Sequence, residues 1–377
     1  MNNKQWQSPF NPFNSWKVMF HSDNLWNIHD WINRKTDSLG PPISVTIDPT
    51  NRCNQKCIWC LYKGWKDDPN NQRDIPINKF KELVDHLKNW GVKSICLAGG
   101  GEPTMYPYVL ELIDYIGISG FDLGFITNGV KLTKDICSSL VKHANFVGFS
   151  VDAGNGYTYR DLHGVDKYNE VLNNINNLRL EIDKIMSKTK IGYKYLLHPY
   201  NIKPEELLSA FENAKRIGVD DLHFRVVYQK DMLTGSKEID RDIIRKFNLA
   251  FDIINILREA YKTLNVYGIS HKYDEEKLVE PRKSFLRCYV APLALYFGAD
   301  GNMWLCADTR GYNSSKLGSW FDNGDVSYNI FKIWGSEEHR KLMEDIKIYN
   351  CPRCTFSFYN ELFEKTFVKD SMMRNLI

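Results

Sequence analysis

Cys53-Asn54-Gln55-Lys56-Cys57-Ile58-Trp59-Cys60 sets three thiols on one short stretch, directly after the apolar run Ile43 to Ile47 and the polar Asp48-Pro49-Thr50-Asn51. Gaps of three and then two residues let a single loop wrap one face of an iron–sulfur cube, and three cysteines leave one iron of a [4Fe–4S] cube without a protein ligand. An open coordination position is where cofactor chemistry takes place. Structural zinc wants four closed ligands, usually as two paired half-sites. The nearest further cysteine is Cys96, inside a strand-like run, so zinc fits this loop poorly. Disulfides fit it worse, because no secretory signal precedes it.

A second group of cysteines lies far downstream. Leu293 to Phe297 and Met303 to Cys306 flank Gly298-Ala299-Asp300-Gly301-Asn302, which reads as a hairpin over 292–306. Its open end brings Cys288 and Cys306 together, and Cys351-Pro352-Arg353-Cys354 supplies two more thiolates. Four ligands make a closed site for zinc or for a [4Fe–4S] cluster. Two other stretches carry chemistry at strand ends. In Gly99-Gly100-Gly101-Glu102 the glycines let a ligand approach the backbone, and Glu102 can pair with an ammonium group. In Phe149-Ser150-Val151-Asp152, Ser150 and Asp152 share one face and offer oxygens to hydroxyl groups, with helix capping as the competing role for Asp152.

The elements that must position these groups alternate regularly. Strands are expected at 43–48, 93–98, 121–127, 146–152, 190–197 and 221–228, with helices at 77–90, 106–117, 131–143, 166–188 and 203–217. Gly91, Gly120 and Gly218 stand where helix C-terminal caps belong. Strands alternating with helices give an α/β fold with a parallel sheet. Residues 1–41 form an aromatic-rich arm with helical spacing at Leu25, Ile28, Trp31 and Ile32, expected to pack on the main domain. A long amphipathic helix is expected over 237–265. The composition, 43% hydrophobic and 25% charged, is that of a soluble globular chain. No apolar run is long enough to span a membrane. A net charge of +3 without a long basic block does not point to nucleic acid. Nine cysteines without a signal peptide point to a reducing cytoplasm.

The Cys-x3-Cys-x2-Cys pattern with Trp59 before its last cysteine resembles the radical S-adenosylmethionine (radical SAM) superfamily. The resemblance implies a partial (β/α)6 barrel over 42–232, open on one side, with its site at the C-terminal strand ends. It implies that Cys53, Cys57 and Cys60 hold a [4Fe–4S] cluster whose fourth iron binds SAM. Gly100, Gly101 and Glu102 then receive the SAM amino group, Ser150 and Asp152 the ribose, and Trp59 lies against the adenine. Asn128, in Thr127-Asn128-Gly129, occupies a frequent family position and also suits a turn. The downstream cysteines resemble the twitch form of the SPASM extension, expected over 286–377 behind a helical bridge at 233–285. Cys288, Cys306, Cys351 and Cys354 would there hold one auxiliary [4Fe–4S] cluster. An electron donor such as flavodoxin or ferredoxin is implied as partner.

Substrate-facing candidates are Arg225, Lys194 and Tyr193. On the last barrel strand Phe224, Val226 and Tyr228 form one phase and His223, Arg225 and Val227 the other. A buried guanidinium needs a partner, which an anionic or polyhydroxylated substrate or an internal carboxylate can supply. Cys96 and Cys137 read as buried structural residues. The leading expectation is oxidation of a small polar alcohol, such as a sugar, aminocyclitol or nucleotide sugar, with the auxiliary cluster taking the electron. Peptide modification and redox-neutral epimerisation are the alternatives, and a structural zinc protein a remote one.

Overall fold

The computed structural model describes residues 15–60, 62–63, 73–227, 241–268, 285–311, 313–321, 324–351, 354 and 356–369. Tyr228, the expected helix start at 237–240 and most of the proposed bridge after 268 lie outside the described residues.

The arm contains helix α1 (Ser22–Ile32), which buries Leu25, Ile28 and Trp31. Trp31 Nε1 donates to Gly335 O at 3.0 Å, and Trp26 meets Phe367 edge-on at 4.7 Å. The arm therefore packs on the end of the chain, which aromatic spacing alone does not reveal.

The expected strands all form: β1 (Ser44–Ile47), β2 (Ser94–Leu97), β3 (Asp122–Thr127), β4 (Ala144–Ser150), β5 (Lys190–Leu197) and β6 (Asp221–Val226). They lie side by side and parallel in chain order. Helices return the chain between them: α2 (Ile77–Trp90), α3 (Val109–Ile118), α4 (Lys134–His143), α5 (Gly156–His163), α6 (Tyr168–Ile185) and α7 (Pro204–Ile217). Helix α2 buries Phe80, Leu83, Val84 and Leu87 along one stripe, and Gly91 at φ 99° closes it, its N–H bonded to Leu87 O and Lys88 O.

Two features extend the sheet beyond the expected six strands. The long helix, α8 (Arg241–Ala260), stops short of residue 265, and β7 (Asn265–Gly268) pairs parallel with β6 instead. The unpaired backbone edge of β6 overrides the helical period there. At the other edge the hairpin strands β8 (Ala294–Phe297) and β9 (Asn302–Trp304) form as expected, but β8 also runs parallel to β1, from Ser44↔Ala294 to Ile47↔Phe297. With β10 (Lys316–Ser319) antiparallel to β9, the order is β10-β9-β8-β1-β2-β3-β4-β5-β6-β7 in one ten-stranded sheet. Helices α9 (Val326–Ile333), α10 (Glu337–Asp345) and α11 (Ser357–Phe363) complete the described chain. The fold is thus mixed α/β with a mostly parallel, unclosed sheet. No described helix is long and apolar enough to cross a membrane.

The two faces of the sheet have different tasks. Tyr195 packs on Phe224 at 5.3 Å and Phe224 on Phe211 of α7 at 5.8 Å, so this phase faces the helices. Alternation puts Lys194, Leu196, His223 and Arg225 on the inner face. The register carries that face through Gly148 and Gly124 to Cys96.

Candidate functional site

The three-cysteine loop leaves β1 and is held from several sides. Arg52 reaches Asp74 with Nε at 3.2 Å and Nη2 at 2.6 Å, and donates to Met105 O at 3.1 Å. Lys56 N donates to His163 O at 3.0 Å and Ile58 N to Leu162 O at 2.9 Å, so the end of α5 supports the middle of the loop. Cys53, Cys57 and Cys60 are half-buried and form no disulfide among the described residues. Among the described residues, no three His, Cys, Asp or Glu side chains gather closely enough to hold a single metal ion.

Helix α5 was missed in the sequence because it is short and polar. Asn155 starts it by accepting from Thr158 N at 3.0 Å, and Gly164 at φ 70° ends it. It delivers His163, whose Nδ1 lies 3.2 Å from Cys57 Sγ and whose Nε2 lies 3.1 Å from Val151 O. Burial pulls His163 down to about 4, so the ring is neutral. A carbonyl only accepts, so Nε2 donates to Val151 O, while Nδ1 lies near both Cys57 Sγ and Gln55 Oε1, the latter at 3.1 Å. Sequence pattern offers no signal for this contact, since it joins positions 106 residues apart.

The glycine loop after β2 docks on the root of the cysteine loop. Gly101 N donates to Thr50 O at 3.2 Å and Glu102 N to Arg52 O at 2.8 Å. A Cβ on Gly101 would stand 2.2 Å from Arg52 O, so only glycine permits this approach. Glu102 is buried, and its Oε1 accepts from Thr104 N at 3.1 Å, Thr104 Oγ1 at 2.8 Å and Thr127 Oγ1 at 2.6 Å. Its Oε2 accepts from Asn128 N at 2.7 Å and keeps a further lone pair. Burial pushes this carboxyl up, while these donors pull it down. Asn128 does form a turn, accepting from Val130 N at 3.0 Å, and also donates to Asn54 Oδ1 in the cysteine loop at 2.7 Å.

The shared face expected for Ser150 and Asp152 does not exist. Strand β4 ends at Ser150, and Asp152 turns away with φ 59°. The capping role is also corrected, because Asn155 starts the next helix. Asp152 Oδ1 instead accepts from Leu196 N at 2.6 Å, its carbonyl accepts from Asn201 Nδ2 at 2.7 Å, and Oδ2 lies 3.5 Å from His163 Nε2. Burial raises its carboxyl to about 7, against the pull of the Leu196 N–H, Lys194 and Arg225. Trp59 is buried with its ring 5.5 Å from His163 and 5.8 Å from His198, a packed position.

Of the substrate-facing candidates, Lys194 and Arg225 reach the inner face, where both act on the Asp152 carboxyl. Lys194 also lies 5.7 Å from the centre of the Phe146 ring. Tyr193 does not face inward. It is fully buried on the helix side, donating to Ala153 O at 3.1 Å. Cys137 is buried on α4, as expected. Cys96 is only half-buried on the inner face, and burial lifts its thiol to about 11.

The four downstream cysteines are brought together. Cys288, Cys306, Cys351 and Cys354 line one cavity of about 570 Å³. A water's share of liquid is about 30 Å³, so the space exceeds what one ion needs. Burial pushes Cys288 to about 11, Cys354 to about 12 and Cys306 well above its ordinary value, and neighbouring thiols add to each shift. Such a set carries thiolates only beside a compensating cation, which a metal cluster is. Asn360 on α11 fixes the wall: it is buried, its Oδ1 accepts from Tyr289 N at 2.7 Å and Val290 N at 3.2 Å, and its Nδ2 points at Cys354 Sγ.

Known proteins resemble this chain in sequence over part of its length and in fold. Residues 47–193 match the radical SAM superfamily. The chain is 30% identical over 141 residues to the mycofactocin maturase MftC of Mycolicibacterium smegmatis, covering 37% of this chain and 35% of that protein. It is 32% identical over 146 residues to the GTP 3′,8-cyclase of Desulforamulus reducens, covering 37% and 44%. These alignments span less than half the length of the curated relatives. In fold it is similar to Streptococcus suis SuiB, crystallised with its precursor peptide SuiA, at a TM-score of 0.62 and 15% identity over 90% of this chain and 75% of that one. Residues 47–193 thus carry a radical SAM domain, of a superfamily that works with SAM and iron–sulfur clusters.

Proposed function

We propose that this chain is a two-cluster radical SAM enzyme that modifies a peptide. The reading rests above all on the four half-buried cysteines around one cavity, joined through a continuous sheet to the three-cysteine loop. Cys53, Cys57 and Cys60 hold the SAM-cleaving cluster, and Cys288, Cys306, Cys351 and Cys354 the auxiliary one. Bound there, the clusters and SAM supply a 5′-deoxyadenosyl radical for hydrogen-atom abstraction and a route for an electron.

The protein's own residues orient and shield. Gly100 and Gly101 let the glycine loop seat against the root of the cysteine loop, and the spare lone pair of Glu102 Oε2 receives the SAM ammonium. Ser150, half-exposed at the end of β4, remains for a ribose hydroxyl. Asp152 acts through His163 and Leu196 as a positioning residue. Lys194 and Arg225 line the interior as polar contacts.

Similarity to a maturase, and a fold shared with an enzyme crystallised with a precursor peptide, favour a peptide over the small alcohol expected from cysteine layout. Oxidation of a small polar molecule is the second reading, favoured by the polar inner face at Lys194, His223 and Arg225. Anaerobically reconstituted protein, reduced with dithionite, is expected to release 5′-deoxyadenosine from SAM. Absence of that nucleoside sinks both readings. Mass spectrometry of candidate peptides and sugars after turnover separates them.

A further inference from the structure

At the C-terminal ends of β1 and β2 a second cavity, of about 350 Å³, opens against the tip of the β8–β9 hairpin. Its lining includes Asp48, Tyr62, Gly100, Asp300, Trp304 and Arg310. Asp48 is 2% exposed and continues the inner-face phase of β1 beyond Thr46. Its Oδ2 pairs with Arg310 Nη1, and Arg310 Nε donates to Tyr62 OH at 2.6 Å. The guanidinium also sits 4.5 Å from the centre of the Tyr62 ring. Asp48 Oδ1, by contrast, is buried and accepts no hydrogen bond among the described residues, although the Gly100 N–H also pulls on this carboxylate.

A buried acceptor left unmatched is costly, and one kept on a cavity wall calls for a donor from outside. The charge balance selects the donor. Arg310 pairs with Asp48, and the lining carries one further acid, Asp300, and one further base, Lys316, so a cation would add an uncompensated charge. A carboxylate would meet the Asp48 oxygen with like charge. A neutral N–H fits.

Building on the peptide reading above, we propose that this cavity anchors an amide N–H of the substrate on Asp48 Oδ1, with Arg310 and Tyr62 as positioning residues that aim the carboxylate. Gly100 belongs to both this cavity and the glycine loop, so the anchored amide lies beside the place assigned to SAM.

The test uses the full reconstituted chain and N-acetylglycinamide as probe, followed by calorimetry. Saturable binding is expected, at least tenfold weaker for the N,N-dimethylamide, which lacks the N–H. In Asp48→Asn, Arg310 holds the side-chain oxygen and turns the NH2 toward the cavity, so affinity falls at least tenfold. Asn313→Trp places a large ring at the exposed rim, away from the buried pair, and serves as the second variant, with the same expected loss. Equal binding of the dimethylamide, tighter binding of methylammonium, full affinity in both variants, or no binding at all overturns the proposal. The 5′-deoxyadenosine yield is read separately. Amide binding without nucleoside release overturns the radical reading alone, and release without amide binding overturns the anchor alone.

Discussion

Gly101 illustrates how much one missing side chain can decide. A Cβ there would meet Arg52 O at 2.2 Å and the Asn51 carbonyl carbon at 2.6 Å, both backbone atoms that cannot swing aside. Gly101→Ala should therefore shift the root of the cysteine loop, lowering iron bound at Cys53, Cys57 and Cys60 and reducing 5′-deoxyadenosine formation at least tenfold. Unchanged iron and nucleoside yield would show that the two loops need not touch. Asp152 makes a prediction in pH. Its folded carboxyl titrates at about 7, above the ordinary 3.8, so the folded protein keeps a proton that the unfolded chain releases across that interval. The folded state consequently binds more protons there, and this site makes stability fall as pH rises, by on the order of 1.4 kcal/mol per pH unit. Asp152→Asn retains an acceptor for Leu196 N and removes the titration. Urea unfolding of the apoprotein between about pH 4 and about pH 7 should show a flatter pH dependence in the variant than in the parent.

Among the elements, α1 and α11 act as clamps. Trp31 of α1 is fully buried, donates to Gly335 O and lies 5.0 Å from the His339 ring. Trp31→Ala should cost roughly 3–5 kcal/mol of stability, as large aromatic truncations in cores do, read from the urea midpoint. Asn360 of α11 satisfies two backbone donors beside Cys288 and contacts Cys354. Asn360→Leu fills similar space but strands those N–H groups, a loss of about 1–3 kcal/mol. The auxiliary iron should then be lost to chelators faster than in the parent, while SAM cleavage persists. The helices and strands between 43 and 226 were legible because each apolar stripe keeps one period. Helix α5 and strand β7 were not. The first buries only Tyr159, Leu162 and His163, too short a stripe to read in eight residues, and the second is specified by an edge of β6 that exists only after folding.

For the whole molecule, the continuous sheet joins the two cysteine groups, since β8 beside β1 carries the hairpin that ends at Cys306. Cys354→Ala should lower iron from about eight to about four per chain, the content of two [4Fe–4S] clusters and of one. Cleavage of SAM should survive while modification of the substrate fails. Retained modification would remove the auxiliary cluster from the electron route. By itself the sequence determined the alternation of elements, the three-cysteine loop and the glycine loop, because these are local: loop spacing, strand-end turns and apolar periods need no distant partner. The tertiary structure decided that four cysteines spread over 67 positions line one cavity, that His163 backs Cys57, that Tyr193 faces outward and that Asp48 keeps an unmatched oxygen. These depend on which strand edges pair and which side chains burial brings together, and neither is written in the spacing along the chain.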